Sequence, residues 1–291
     1  LNFISSQDAL PAVCKQAIEE APNWMEKDLT IQMHRISDRE IYAQMILDAE
    51  EKIKDEVAYQ IAYMSEESLN HSRFEKDREL LVRNAELIYE YADSLKYVRL
   101  KEHGSFESGD YYTTTEYHIK DGQNGELIWS EIPYEYYYRY VVSPKIHQEG
   151  AYSDDAMDQN QRTYDYFWRE YIWQYPAGDY DYTQVNKSTS KGSIDSIRRF
   201  GELAQIPEVL WDRQPKYFEF GRDYNDNQTA LDMFGNWASR AIPVDAQLPR
   251  AIQPNQALYE HNGNCGDDAY LVAGMLRTAL IPNIYLLSSG E

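Results

Sequence analysis

The chain has 291 residues, 43% hydrophobic and 26% charged, a composition that excludes wholesale disorder and suits roughly two domains with a sizeable core. Its 49 acidic residues against 28 basic ones give a formal net charge of −21, which argues against nucleic acid or an anionic membrane surface as partner, since both must be met by clustered Lys and Arg. No run is long and apolar enough to span a membrane, and two cysteines, Cys14 and Cys265, support neither a disulfide framework nor a zinc site.

From the start of the chain, Ala12 to Ala21 predicts a short helix ended by Pro22, followed by mixed sequence around Trp24 and Met33. Ser37-Asp-Arg-Glu40 has the pattern of a capping box, and Tyr42, Met45, Ile46, Ala49, Ile53, Val57, Ile61 and Met64 then predict one long amphipathic helix. A second helix is expected from about Ser72 to Leu95, with Phe74, Leu81, Ala85, Ile88, Ala92 and Leu95 on one face. The polar segment Ser65–His71 between them suggests an antiparallel helical hairpin, so residues 1–100 read as a helical region.

Near Glu102 the pattern changes. Tyr111–Ile119 and Glu126–Ile132 are β-type runs around the turn Asp121-Gly-Gln-Asn-Gly125, and Tyr134–Val142 alternates poorly because nearly every position is aromatic. More than half of the 26 tyrosines fall between Tyr111 and Tyr182. Tyrosine suits sugar- or peptide-binding grooves, although packing of half-buried strands is the simpler reading for most of these. Residues 143–160 read as a polar loop, Tyr164–Tyr175 as an aromatic helix or strand stopped by Pro176, and Asn186–Ser193 as a linker before a helix from Ile194 to Ala204. Residues 101–222 thus form a Tyr-rich mixed region, with the domain boundary placed between about Ser188 and Arg222.

Asp223-Tyr-Asn-Asp-Asn-Gln-Thr229 spaces oxygen ligands as a calcium loop does, but it lacks Gly at its sixth position and an acid at its twelfth. It reads as a polar turn capping a helix from Thr229 to Arg240. No metal ligand set and no organic cofactor is expected.

The stretch Glu260–Pro282 is the part of the chain suited to placing a reactive atom. The turn His261-Asn-Gly-Asn264 delivers Cys265 to an apolar-periodic segment, Ala269, Leu271, Val272, Met275, Leu276 and Ala279, in which only Arg277 is charged after Ala269. Cys265 is therefore expected at the N-terminus of a helix buried on most sides, where unpaired N–H groups and the positive dipole end favour a thiolate. Gly266 would let a substrate approach closely. Ile281-Pro-Asn-Ile-Tyr-Leu-Leu-Ser-Ser289 should end the helix and continue as a strand. A packed, inert cysteine is the competing reading.

Arg250, Pro254, Leu258, Asn262-Gly-Asn-Cys-Gly-Asp267, Ala269 and Leu276-Arg-Thr-Ala-Leu-Ile-Pro282 together resemble the core of the transglutaminase-like superfamily, with its papain-like cysteine nucleophile. The resemblance covers about residues 227–291, with Leu280 standing where the pattern has Gly. It implies an α+β protein whose last part, residues 223–291, is an incomplete transglutaminase-like core, and a Cys-His-Asp triad acting on peptide or isopeptide amides. Cys265 would be the nucleophile, its backbone N–H would form the oxyanion hole, and Trp237 and Tyr259 are candidate supports beside Gly266.

All six histidines precede Cys265, so the His and Asp are expected beyond Glu291. His261, on the turn, has no catalytic role in the pattern. The resemblance and a start at Leu1-Asn-Phe-Ile-Ser-Ser6 suggest an exported protein trimmed of a leader. The alternative is a non-catalytic extracytoplasmic binding or scaffold protein with a degenerate core, whose Tyr-rich surface contacts a glycan, cell wall or peptide.

Overall fold

A computed structural model of the chain describes residues 10–70, 78–120, 126–144, 167–174, 201, 204–205, 258 and 265–283. Helix α1 spans Ala12–Glu20 and ends where Ala21, preceding Pro22, is forced into an extended conformation. A 3-10 turn at Asn23–Met25 leads into α2, Glu26–Arg35. Acids in the first turn of α2 and His34 and Arg35 in its last turn complement the helix dipole. Trp24 and Met33 therefore belong to helical structure that irregular periodicity concealed.

The long amphipathic helix expected after Ser37 is two helices, α3 at Arg39–Asp48 and α4 at Lys54–Tyr63, separated by extended residues Ala49 and Glu50 and a 3-10 turn at Glu51–Ile53. The break is held from outside. Lys54 Nζ donates to Glu20 Oε2 at 2.7 Å and to the carbonyl of Leu47 at 3.4 Å, so one cation covers the open end of α3 and ties it to α1. The apolar stripe survives the break: Tyr42, Ile46, Ala49, Ile53, Val57, Ile61 and Met64 are all buried. The capping box does not form, because Asp38 is the N-cap without a side-chain bond to the helix and its carboxylate pairs with Arg78 instead.

After the short α5, Glu66–Leu69, helix α6 runs from Glu79 to Ser94 and buries Leu81, Ala85, Ile88 and Ala92, as its periodicity predicts. The expected hairpin is thus a larger helical layer, in which α1 packs on α3, α2 on α4, and α4 on α6.

Three antiparallel strands follow in the order β1-β2-β3, namely Val98–His103, Tyr112–Lys120 and Leu127–Glu131. The β2–β3 hairpin is the one expected, in a register that pairs Glu116 with Glu131 and His118 with Trp129. Strand β1 is additional, and its charges are used across the sheet: Arg99 Nε donates to Glu116 at 2.7 Å, and Lys101 bridges Glu116 at 3.0 Å and Glu131 at 2.6 Å. The β1–β2 connection has left-handed backbone at Gly104 (φ 73°) and Gly109 (φ 70°), where a side chain would be strained.

The aromatic run after Pro133 is helical. Tyr134–Tyr137 forms one turn, α7, which continues as a π-helix over Tyr138–Val142. Tyr137, Tyr138, Val141 and Val142 all face inward, which explains the missing alternation. Helices α8 (Trp168–Gln174) and α9 (Cys265–Thr278) pack against each other, and buried residues from Leu10 to Ile281 belong to one contiguous core. The coarse class is α+β. No helix among the described residues is long and apolar enough to cross a membrane.

Candidate functional site

Cys265 is the first residue of α9, and Gly266 follows it half-buried. The backbone thus has the arrangement expected for an activated sulfur, a cysteine at the dipole-positive end of a helix. From Tyr270 to Pro282 the segment is buried on every side. Trp237, Tyr259, His261, the helix expected over Thr229–Arg240, the strand expected to Ser289 and the boundary region between Ser188 and Arg222 fall outside the described residues, apart from Gly201, Ala204 and Gln205 within the last. Cys14, by contrast, is a free and fully buried thiol whose pKa is raised by burial and then by the charge of Glu40. It has the character of a packed hydrophobe.

The far end of α9 is closed by a Schellman turn. Ile281 N–H donates to the carbonyl of Leu276 at 2.8 Å and Leu280 N–H to that of Arg277 at 3.0 Å, with Leu280 left-handed at φ 58°. Glycine is the usual residue here. Leucine in this conformation costs about 1–2 kcal/mol, and the complete burial of the Leu280 side chain opposes that cost. Tyr97 Oη donates to the carbonyl of Ala279 at 3.1 Å, Tyr117 Oη to that of Leu280, and Arg169 Nη1 to that of Arg277. Side chains from the sheet and from α8 thereby satisfy the carbonyls that a helix end leaves open.

A second junction holds α9 to the rest of the molecule. At the end of the π-helix four successive carbonyls each accept from a side chain of another segment. Val141 O accepts from Arg169 Nη2 at 2.6 Å, Val142 O from Asn84 Nδ2 at 2.9 Å, Ser143 O from Arg277 Nη1 at 2.8 Å, and Pro144 O from Trp168 Nε1 at 2.9 Å. Arg169 Nε also donates to Asn84 Oδ1 at 2.8 Å, and Asn84 Nδ2 to Gln60 Oε1 at 2.9 Å, so the network continues through α6 into α4. Two buried guanidinium groups stand at the negative end of a helix dipole, where cations are favoured.

Sequence reasoning singled out Arg277 as the lone charge after Ala269 but missed Arg169, Asn84 and Gln60. A signal was present for Asn84. It is one position from Ala85 and three from Leu81, on the apolar face of α6, where a polar residue must find internal partners.

Several of the described tyrosines are structural. Tyr97, Tyr111, Tyr117, Tyr137 and Tyr138 are buried, and each hydroxyl donates inside the protein, Tyr111 to the carbonyl of Glu20 at 2.7 Å. These rings cannot form a ligand-binding face. The large apolar side chains left in solvent there are Leu127, Ile128 and Trp129 of β3 and Tyr136 of α7, with Arg99 stacked over Trp129 at 4.3 Å. No family model, characterised protein or solved structure matches the chain.

Proposed function

We propose that the chain carries a transglutaminase-like, papain-like cysteine nucleophile at Cys265 and acts on peptide or isopeptide amides. One observation carries the reading: Cys265 opens a helix that is buried from Tyr270 onward and closes in a left-handed residue at Leu280, the position where the resembling motif has Gly. A Gly-type closure in a sequence that has Leu is a backbone feature that residue preference alone does not predict.

In this reading the Cys265 thiolate attacks the amide carbonyl, and the oxyanion is held by the backbone N–H of Cys265. The C–N bond breaks as the amine leaves with a proton from a histidinium. Water, or an acceptor amine, then attacks the thioester and returns the thiol. The His and its Asp partner come, as the resemblance implies, from strands that follow α9, beyond Glu291. Gly266 allows the close approach, Trp237 and Tyr259 are candidate supports, and the setting is extracytoplasmic. Hydrolysis is favoured over transfer wherever water reaches the thioester.

The test is the rate of alkylation of each cysteine between pH 5 and 9 on the longest natural form of the protein, with sites assigned by mass spectrometry. Cys265 is expected to label fast, with a midpoint well below ~8.5, while Cys14 stays unlabelled until unfolding. Equal protection of both thiols overturns the proposal. A second reading, a non-catalytic protein binding a peptide or glycan, is supported by the exposed Leu127, Ile128 and Trp129 on β3.

A further inference from the structure

Asp55 and Glu56 are adjacent on α4 and 1% and 0% exposed. Two adjacent carboxylates cannot both remain charged in the core without cations to meet them. The charged group acting on Glu56 is Asp55 itself, and Lys54 next in sequence is directed away to Glu20.

The hydrogen bonds around the pair fix where a proton must lie. Tyr138 Oη accepts the backbone N–H of Thr113 at 2.8 Å, so its own proton goes to Asp55 Oδ2, and Asp55 is the acceptor in that contact. Tyr137 Oη donates to Glu56 Oε1 at 2.8 Å. Both phenols are held well above their ordinary pKa by burial and then by the neighbouring carboxylates, and so remain donors. That leaves Glu56 Oε2, buried and without a hydrogen-bond partner among the described residues. An ionised Glu56 would strand a charged oxygen in the core; a protonated one turns the same oxygen into a donor for Asp55, which lies within its reach.

We infer that Glu56 and Asp55 form a buried proton-binding site, with the proton on Glu56 Oε2 directed at Asp55, and that this one proton clamps the π-helix segment onto α4. Among the described residues, the side chains that meet the pair are phenols and a threonine. They are Tyr137 and Tyr138 from α7 and the π-helix, Tyr89 from α6, and Tyr111 and Thr113 from the sheet side. Loss of the proton therefore creates two adjacent buried negative charges facing phenol oxygens.

The sign follows directly. Burial, and then the charge of Asp55, raise the Glu56 pKa well above the ordinary carboxylate range. Its contribution to stability is full below the unfolded pKa of about 4.3. It declines as the pH rises toward the folded value, because the folded state binds a proton that the unfolded state has released. Over that window one proton changes the unfolding equilibrium constant about tenfold per pH unit.

The experiment compares the full chain with Glu56→Gln in denaturant unfolding from pH 5 to 9. The Gln carbonyl still accepts from Tyr137, and its amide donates permanently to Asp55. The wild-type unfolding constant is expected to rise relative to the variant as the pH increases, by at most about tenfold per pH unit and levelling off above the folded pKa of Glu56. Parallel pH dependences overturn the inference. Infrared spectroscopy of the wild-type protein, titrated upward from pH 6, decides the matter even if the variant does not fold: a C=O band of a protonated, buried carboxylic acid is expected at pH 6 and is lost as the pH rises, and its absence at pH 6 overturns the inference.

Discussion

The helical layer of α1 to α4 and the junction of the π-helix with α8 and α9 hold together by different means. In the first, Cys14, Ile18, Leu29, Met33, Ile46 and Val57 fill the core with side chains that carry no directional demand. In the second, main-chain carbonyls of Val141, Val142, Ser143 and Pro144 meet buried donors one by one. Apolar packing tolerates small shifts at small cost, whereas a buried acceptor that loses its donor forfeits the whole compensation for its desolvation. The junction is thus the more precise and the more brittle of the two.

Substitutions test that contrast. Arg169→Met keeps apolar volume but strips the donors from Asn84 Oδ1 and from the carbonyls of Val141 and Arg277. A loss on the order of 5 kcal/mol, or failure to fold, is expected in urea unfolding, and Arg169→Lys should rescue little because an ammonium lacks the planar fork. In the helical layer, Ile46→Ala should cost about 3 kcal/mol by the same measurement. The contrast breaks if Ile46→Ala proves the costlier change. Smallest of the three, Tyr117→Phe removes the donor to the Leu280 carbonyl and the acceptor of the Thr115 hydroxyl, and should cost about 1–2 kcal/mol. An unchanged midpoint for Tyr117→Phe would show that the end of α9 does not depend on the sheet.

Whether an element could be read from the sequence follows the same division. The stripe from Tyr42 to Met64 and the end of α1 before Pro22 were legible, because periodicity and proline geometry are local properties. The interruption at Ala49 was not, since it depends on a lysine reaching the carbonyl of Leu47 and a glutamate of α1. Strand β1 was hidden by its own charges, which make sense only once Glu116 and Glu131 lie beside them. At the candidate site, the start of α9 at Cys265 followed from a polar turn meeting an apolar period. The left-handed Leu280 contradicts residue preference, and only partners distant in sequence, Tyr97, Tyr117 and Arg169, explain how that turn is held.

The four carbonyls at the end of the π-helix also constrain the order in which the molecule can be completed. Their donors lie 24, 28, 58 and 134 residues away along the chain, and only Asn84 is synthesised before the carbonyls themselves. A nascent chain that has made the helical layer and the sheet still lacks the donors for the carbonyls of Val141, Ser143 and Pro144, and it closes the last only when Arg277 emerges. Closing so long a loop late carries a loop-closure cost and makes the arrival of α9 the step that locks the earlier elements in place.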